Sequence, residues 1–129
     1  MTRLRLGLGL LASGFLLVSF IAHTFLGWPA LHAELAKTTV PADLAGALRS
    51  GWTFGGVAMA GFGLIAAHQL VRAWRGVRDS AWTVGVIAAV YVGFGLWAML
   101  GRGRVEPFYL VFVLPGLLLA AAAGAVADG

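Results

Sequence analysis

The chain has 129 residues, 60% hydrophobic and only 11% charged, with a mean hydropathy of +0.92. Soluble domains carry charge on about a quarter of their residues, so this balance excludes a disordered chain and argues against a soluble globular one. Cysteine is absent, which excludes disulfides, thiolate metal sites and cysteine nucleophiles. Nine Lys and Arg against five Asp and Glu give +4, but the basic residues flank apolar runs instead of forming a stripe. That arrangement points to lipid headgroups and topology, not to nucleic acid.

Taken in chain order, the charges act as punctuation. Arg3 and Arg5 precede the first uncharged run, which extends from Leu6 to Ala33. It outlasts a secretory signal core and lacks a nearby Ala-x-Ala cleavage pattern, so an uncleaved span over about 6–28 is expected. Later uncharged stretches give spans at about 50–73, 80–101 and 107–127. A run of 22 residues rises about 33 Å, enough to cross a hydrocarbon core of about 30 Å. Trp28, Trp52, Trp74 and Trp82 fall at the expected interfaces, where an amphipathic indole is best accommodated. The fold class is therefore all-α: one polytopic membrane domain, a four-transmembrane-helix bundle.

Between the first two spans, residues 29–49 form the only connection with room for structure. Pro41 suits a first helical turn, and Leu44, Ala45, Leu48 and Trp52 then share a face. A short amphipathic helix over 41–50, lying at the membrane surface and running into the second span, is expected. The connection after the second span carries Arg72, Arg75 and Arg78. This density favours both termini on the cytoplasmic side. A strong preference for Arg over Lys and the absence of Asn suggest a GC-rich bacterial genome, hence the inner membrane.

Nineteen glycines need a packing explanation, because glycine weakens a helix while small residues let helices approach closely in lipid. On the second span Gly56, Ala60, Gly63 and Ala67 make one seam. Gly85, Ala89 and Gly93 make another on the third. Both are expected to pack helices within the bundle, with a homo-oligomer or a membrane-protein partner as the other use. Pro115 is expected to bend the fourth span.

Few residues can carry chemistry. His23 and His68 invite a haem reading, but they fall near opposite ends of their spans, too far apart in depth to share one iron. His32 and Glu34 are too thin a set for a metal. Phosphate-loop, dinucleotide and serine-hydrolase signatures are missing. No catalytic residue, cofactor or metal is expected. One polar cluster remains, with His23, Thr53, Arg102, Arg104, Glu106 and Tyr109 all reaching the outer leaflet or its edge. An ionisable residue inside a membrane is a functional candidate, but the favoured reading is that His23 bonds Ser19 one turn below while Glu106 pairs with Arg102 or Arg104 at the surface. Tyr91, in mid-span, needs a partner for its hydroxyl.

The His23-Thr-Phe-Leu-Gly27 segment, the proline-containing connection and Trp52 at the head of the second span resemble small uncharacterised bacterial membrane proteins of four predicted spans. That resemblance implies a membrane location and no particular activity. Small multidrug exporters carry a glutamate in the first span, which this chain lacks. Three functions are compatible with the residues: a non-catalytic accessory or structural membrane subunit, a transporter or channel for a small solute or ion with the outer polar site on its path, and a membrane enzyme using His23 or Glu106. The first is favoured. The expected partners are the bilayer and a second copy or another membrane protein.

Overall fold

The computed structural model describes residues 1–77, 80–101 and 105–127. Among them every regular element is helical, and four helices are long and apolar enough to cross a membrane. The chain is an all-α, multi-pass membrane bundle. Helix α1 (Arg3–Ile21) passes through a π-helical turn (Ala22–Gly27) into α2 (Trp28–Leu35). Next come α3 (Ala42–Trp74) and α4 (Ser80–Leu100), then a 3-10 turn (Pro107–Tyr109) that leads into α5 (Leu110–Ala127).

Helix boundaries differ from the expected ones at two places, each for a local reason. The first helical run does not end at Trp28: the chain stays helical to Leu35 despite Pro29. The preceding π turn makes this possible. Trp28 N–H reaches back to the carbonyl of His23, and Pro29 falls in the first turn of α2, where a missing N–H goes unnoticed. The second difference concerns residues 41–50. They are helical and run into the second span as expected, but without a break, as the head of the 33-residue α3. Pro41 supplies the cap, its carbonyl accepting from Ala45 N–H at 3.0 Å, and Asp43 sits in the first turn, where the helix dipole favours it. Once nucleated, the helix meets no proline before Gly76. At about 50 Å, α3 is far longer than a hydrocarbon core, so α2 and the head of α3 project past α4.

Helix α3 stops in a Schellman motif: Gly76 N–H bonds Ala73 O, and Val77 N–H bonds Arg72 O, with Gly76 at φ +91°. A side chain is strained there, so Gly76→Ala should lower stability by about 1 kcal/mol in mixed-micelle unfolding.

Packing divides the bundle into two hairpins. In the first, α1 and α3 close on Gly56 and Gly63, where an added Cβ would meet Thr24 Oγ1 at 2.5 Å and Ser13 O at 3.0 Å. Both glycines are buried, and Ala60 and Ala67 are half-buried. In the second hairpin, α4 and α5 close on Gly95, against Val113, and on Gly116, against Val92 and Ala88. The seam expected on α4 is thus a correction. Gly85 and Gly93 face open space and Ala89 is exposed, because the face turned to α5 carries Ala88, Val92 and Gly95 instead. Pro115 lies inside α5, buried beside Gly116.

The hairpins join in the half of the bundle nearer the N-terminus. There Ala12 and Leu16 of α1, Ala66 and Leu70 of α3, Val84, Ile87, Ala88 and Tyr91 of α4, and Leu119, Ala122 and Ala123 of α5 form one buried cluster. Leu16, Leu70 and Leu119 are fully buried. In the other half the hairpins part, leaving a cleft.

Candidate functional site

A cavity of about 630 Å³ occupies that cleft. One wall is a stripe of α3 in which Leu44, Leu48, Gly51, Gly55, Met59 and Phe62 recur at three- and four-residue spacing. The other wall comes from Val90, Tyr91 and Phe94 of α4 and Phe112 of α5, while His23 and Trp52 line it where α1 meets α3. Its floor is aromatic. Tyr91 packs edge-on to Phe62 with ring centres 6.2 Å apart, and Phe94 does the same to Phe112 at 5.0 Å. The rise along α3 from Trp52 to Phe62 is about 15 Å, half the thickness of a hydrocarbon core. No charged side chain lines the cavity among the described residues.

His23 and Trp52 form a reciprocal clasp between the helices. His23 Nε2 donates to the carbonyl of Trp52 at 3.0 Å, and Trp52 Nε1 donates to the carbonyl of His23 at 2.8 Å. The rings stack with centres 4.2 Å apart and planes 5° from parallel. The backbone makes room for this on both sides. A Cβ at Gly27 would meet the Trp52 indole at 2.9 Å, and one at Gly55 would lie 3.4 Å from His23 Nε2. The His23 carbonyl takes two donors, Trp28 N–H across the π turn and Trp52 Nε1, one for each lone pair. Single π turns inside helices occur frequently at functional sites. Trp28 approaches Trp52 to 6.4 Å between ring centres, so both indoles share one level. Indoles at one level are what an interface favours.

The clasp corrects the Ser19 expectation. Gly55 and Gly56 open a seat on α3, and an imidazole placed there gains a stack as well as a bond. Of the other residues in the expected polar cluster, Thr53 is exposed, one position past the indole on a helix whose neighbours diverge by about 100°. Arg102 and Arg104 lie outside the described residues. Glu106 is half-buried ahead of α5, and Tyr109 stacks on Phe112, 6.4 Å between centres, outside the set that lines the cavity. The structure pairs His23 with Trp52, which the sequence marked only as an interface residue.

Among the described residues, two buried hydroxyls, Thr24 Oγ1 and Tyr91 Oη, have no hydrogen-bond partner. Thr24 packs its oxygen on Gly56, so Thr24→Ala should leave stability unchanged or raise it by up to about 1 kcal/mol. It should also relieve most of the penalty of Gly56→Ala, an effect that unfolding of the double variant would reveal.

His68 is exposed. The rise from Gly55, beside His23, to His68 is about 20 Å, so the two imidazoles cannot share an iron. Among the described residues no three His, Cys, Asp or Glu side chains come together to hold a metal. The comparisons add no family to this geometry: no family model, curated protein or solved structure matches the chain.

Proposed function

We propose that the chain is a non-catalytic accessory membrane subunit that holds a lipid-phase apolar molecule in the cleft between its hairpins. The observation that supports this is the cavity itself, whose volume of about 630 Å³ falls among small-molecule sites of about 300–1,000 Å³. No carboxylate, serine or lysine lines the cavity among the described residues, and the Tyr91 hydroxyl belongs to a floor about 15 Å deeper, which leaves His23 without a second group in reach for acid–base or nucleophilic work. A solute path through one copy would have to open the half in which Leu16, Leu70 and Leu119 are fully buried. Holding is therefore the better reading than transport.

The test uses the full chain in nanodiscs with a lipid whose tail carries a diazirine. Adducts should concentrate on Met59, Phe62 and Phe94 and should fall sharply in Ala58→Trp, which fills the cleft. Adducts spread evenly over lipid-facing residues such as Phe54, Leu64 and Val86 would overturn the reading.

We assign the subunit to the bacterial inner membrane with both termini cytoplasmic, on the Arg density of residues 72–78. A C-terminal reporter active only outside the cytoplasm would overturn that orientation. The open small-residue face of α4, Gly85, Ala89 and Gly93, is the proposed seat for a second copy or another membrane protein. Gly93→Leu should dissociate such an assembly, seen by crosslinking, while the single chain stays folded.

A further inference from the structure

We propose that the cleft takes an uncharged single-chain lipid whose head carries a hydroxyl, and that this hydroxyl donates to Nδ1 of His23; the proposal rests on the cleft being a binding site. The clasp fixes the chemistry of the imidazole. His23 Nε2 lies 3.0 Å from the Trp52 carbonyl, which can only accept, so this bond selects the tautomer with the proton on Nε2, in which Nδ1 presents a lone pair. The Nε2 side of the ring is set against Gly55 and Gly56, and its face is taken by the indole. Nδ1 is left as the polar atom of a ring that lines the cavity.

The rest of the wall narrows the ligand further. The Trp52 indole N–H is already spent on the His23 carbonyl. No charged side chain among the described residues faces a carboxylate or phosphate, so an anionic head would enter with its charge unmatched. A simple ester head has no donor and would leave Nδ1 unpaired. A hydroxyl satisfies it. Depth agrees with this chemistry, because the clasp stands at the level of Trp28 and Trp52 while the aromatic floor at Phe62 and Tyr91 lies about 15 Å deeper. A head held at the interface thus sends one tail through one leaflet.

The test is competition against a photoreactive monoacylglycerol bound to the full chain in nanodiscs, with adducts mapped by mass spectrometry. Unlabelled monoolein should displace it at about a tenfold lower concentration than methyl oleate, which has the same tail and no hydroxyl; one ordinary hydrogen bond gives a ratio of that size. Oleate should compete no better than the methyl ester. In His23→Phe, which keeps a ring on Trp52 and removes Nδ1, the preference should fall to parity. The lipid pair carries the test in the unaltered chain, so a poorly folded variant does not decide it. Equal displacement by monoolein and methyl oleate, with adducts still in the cleft, would overturn the hydroxyl assignment and leave cleft binding standing. Adducts outside the cleft would remove the binding site, and this proposal with it.

Discussion

Trp52→Ala should destabilise the bundle by about 2 kcal/mol and His23→Ala by a similar amount, while the double variant should lose about 1 kcal/mol less than their sum. Trp52→Ala deletes the indole that stacks on the imidazole and donates to the His23 carbonyl, but it leaves the Trp52 carbonyl in place for Nε2. His23→Ala deletes the imidazole and its bond, yet leaves its own carbonyl for Nε1. Both hydrogen bonds are side chain to backbone, so each belongs to one substitution alone. The stack is the only term the two share. Interhelical bonds in membrane proteins average about 0.6 kcal/mol and reach about 1.7, and a stacked pair adds about 0.5–1.5. A double-mutant cycle therefore isolates the stack. Unfolding in mixed micelles measures all four species, and a coupling energy near zero would mean that the rings are not held face to face. Trp52→Phe sharpens the experiment: it retains most of the stack and loses only the donor, so about 0.6 kcal/mol is expected.

That pair also marks the limit of what the sequence discloses. The spans were legible because lipid imposes a length, and the placement of the charged residues reveals it directly. Gly56 and Gly63 were legible for a related reason, since a small-residue seam facing a partner helix is a periodic signal. The same signal misled on α4. Gly85, Ala89 and Gly93 have equally good spacing, but spacing cannot say which face a helix turns inward, and α5 meets Ala88, Val92 and Gly95. The clasp was illegible for a different reason. His23 and Trp52 stand 29 positions apart, and their bonds run to backbone carbonyls, which every residue has. The sequence shows the rings but not their acceptors. The cleft follows the same logic: its α3 stripe is periodic, yet its emptiness depends on where two hairpins part. Gly55 and Gly56 opposite a histidine were the one available hint, since paired glycines admit a bulky ring.

Gly116→Ala should lower stability by about 2 kcal/mol, and Gly85→Ala should leave it unchanged or raise it slightly. Both substitutions add one methyl group and improve helix propensity by the same amount, so their difference reads packing alone. At Gly116 the added Cβ would lie 2.8 Å from Val92 Cγ2, 3.0 Å from Val92 N and 3.1 Å from Ala88 O. The first of these contacts can yield by rotation of a side chain. The other two are backbone of α4 and cannot, so relief requires α4 and α5 to move apart. With little hydrophobic drive between helices in lipid, separation gives up the close van der Waals contact that joins them, and overpacking of this kind costs about 1–3 kcal/mol. Gly116→Leu should then prevent the second hairpin from closing. At Gly85 a Cβ meets nothing within 4 Å. Hairpin closure read by crosslinking between α4 and α5 checks the first result, and mixed-micelle unfolding compares the two. If Gly85→Ala proved as damaging as Gly116→Ala, the open face of α4 would have to be occupied in the membrane, because nothing within the single chain touches it; a loss that grew with protein concentration would identify the occupant as a second copy.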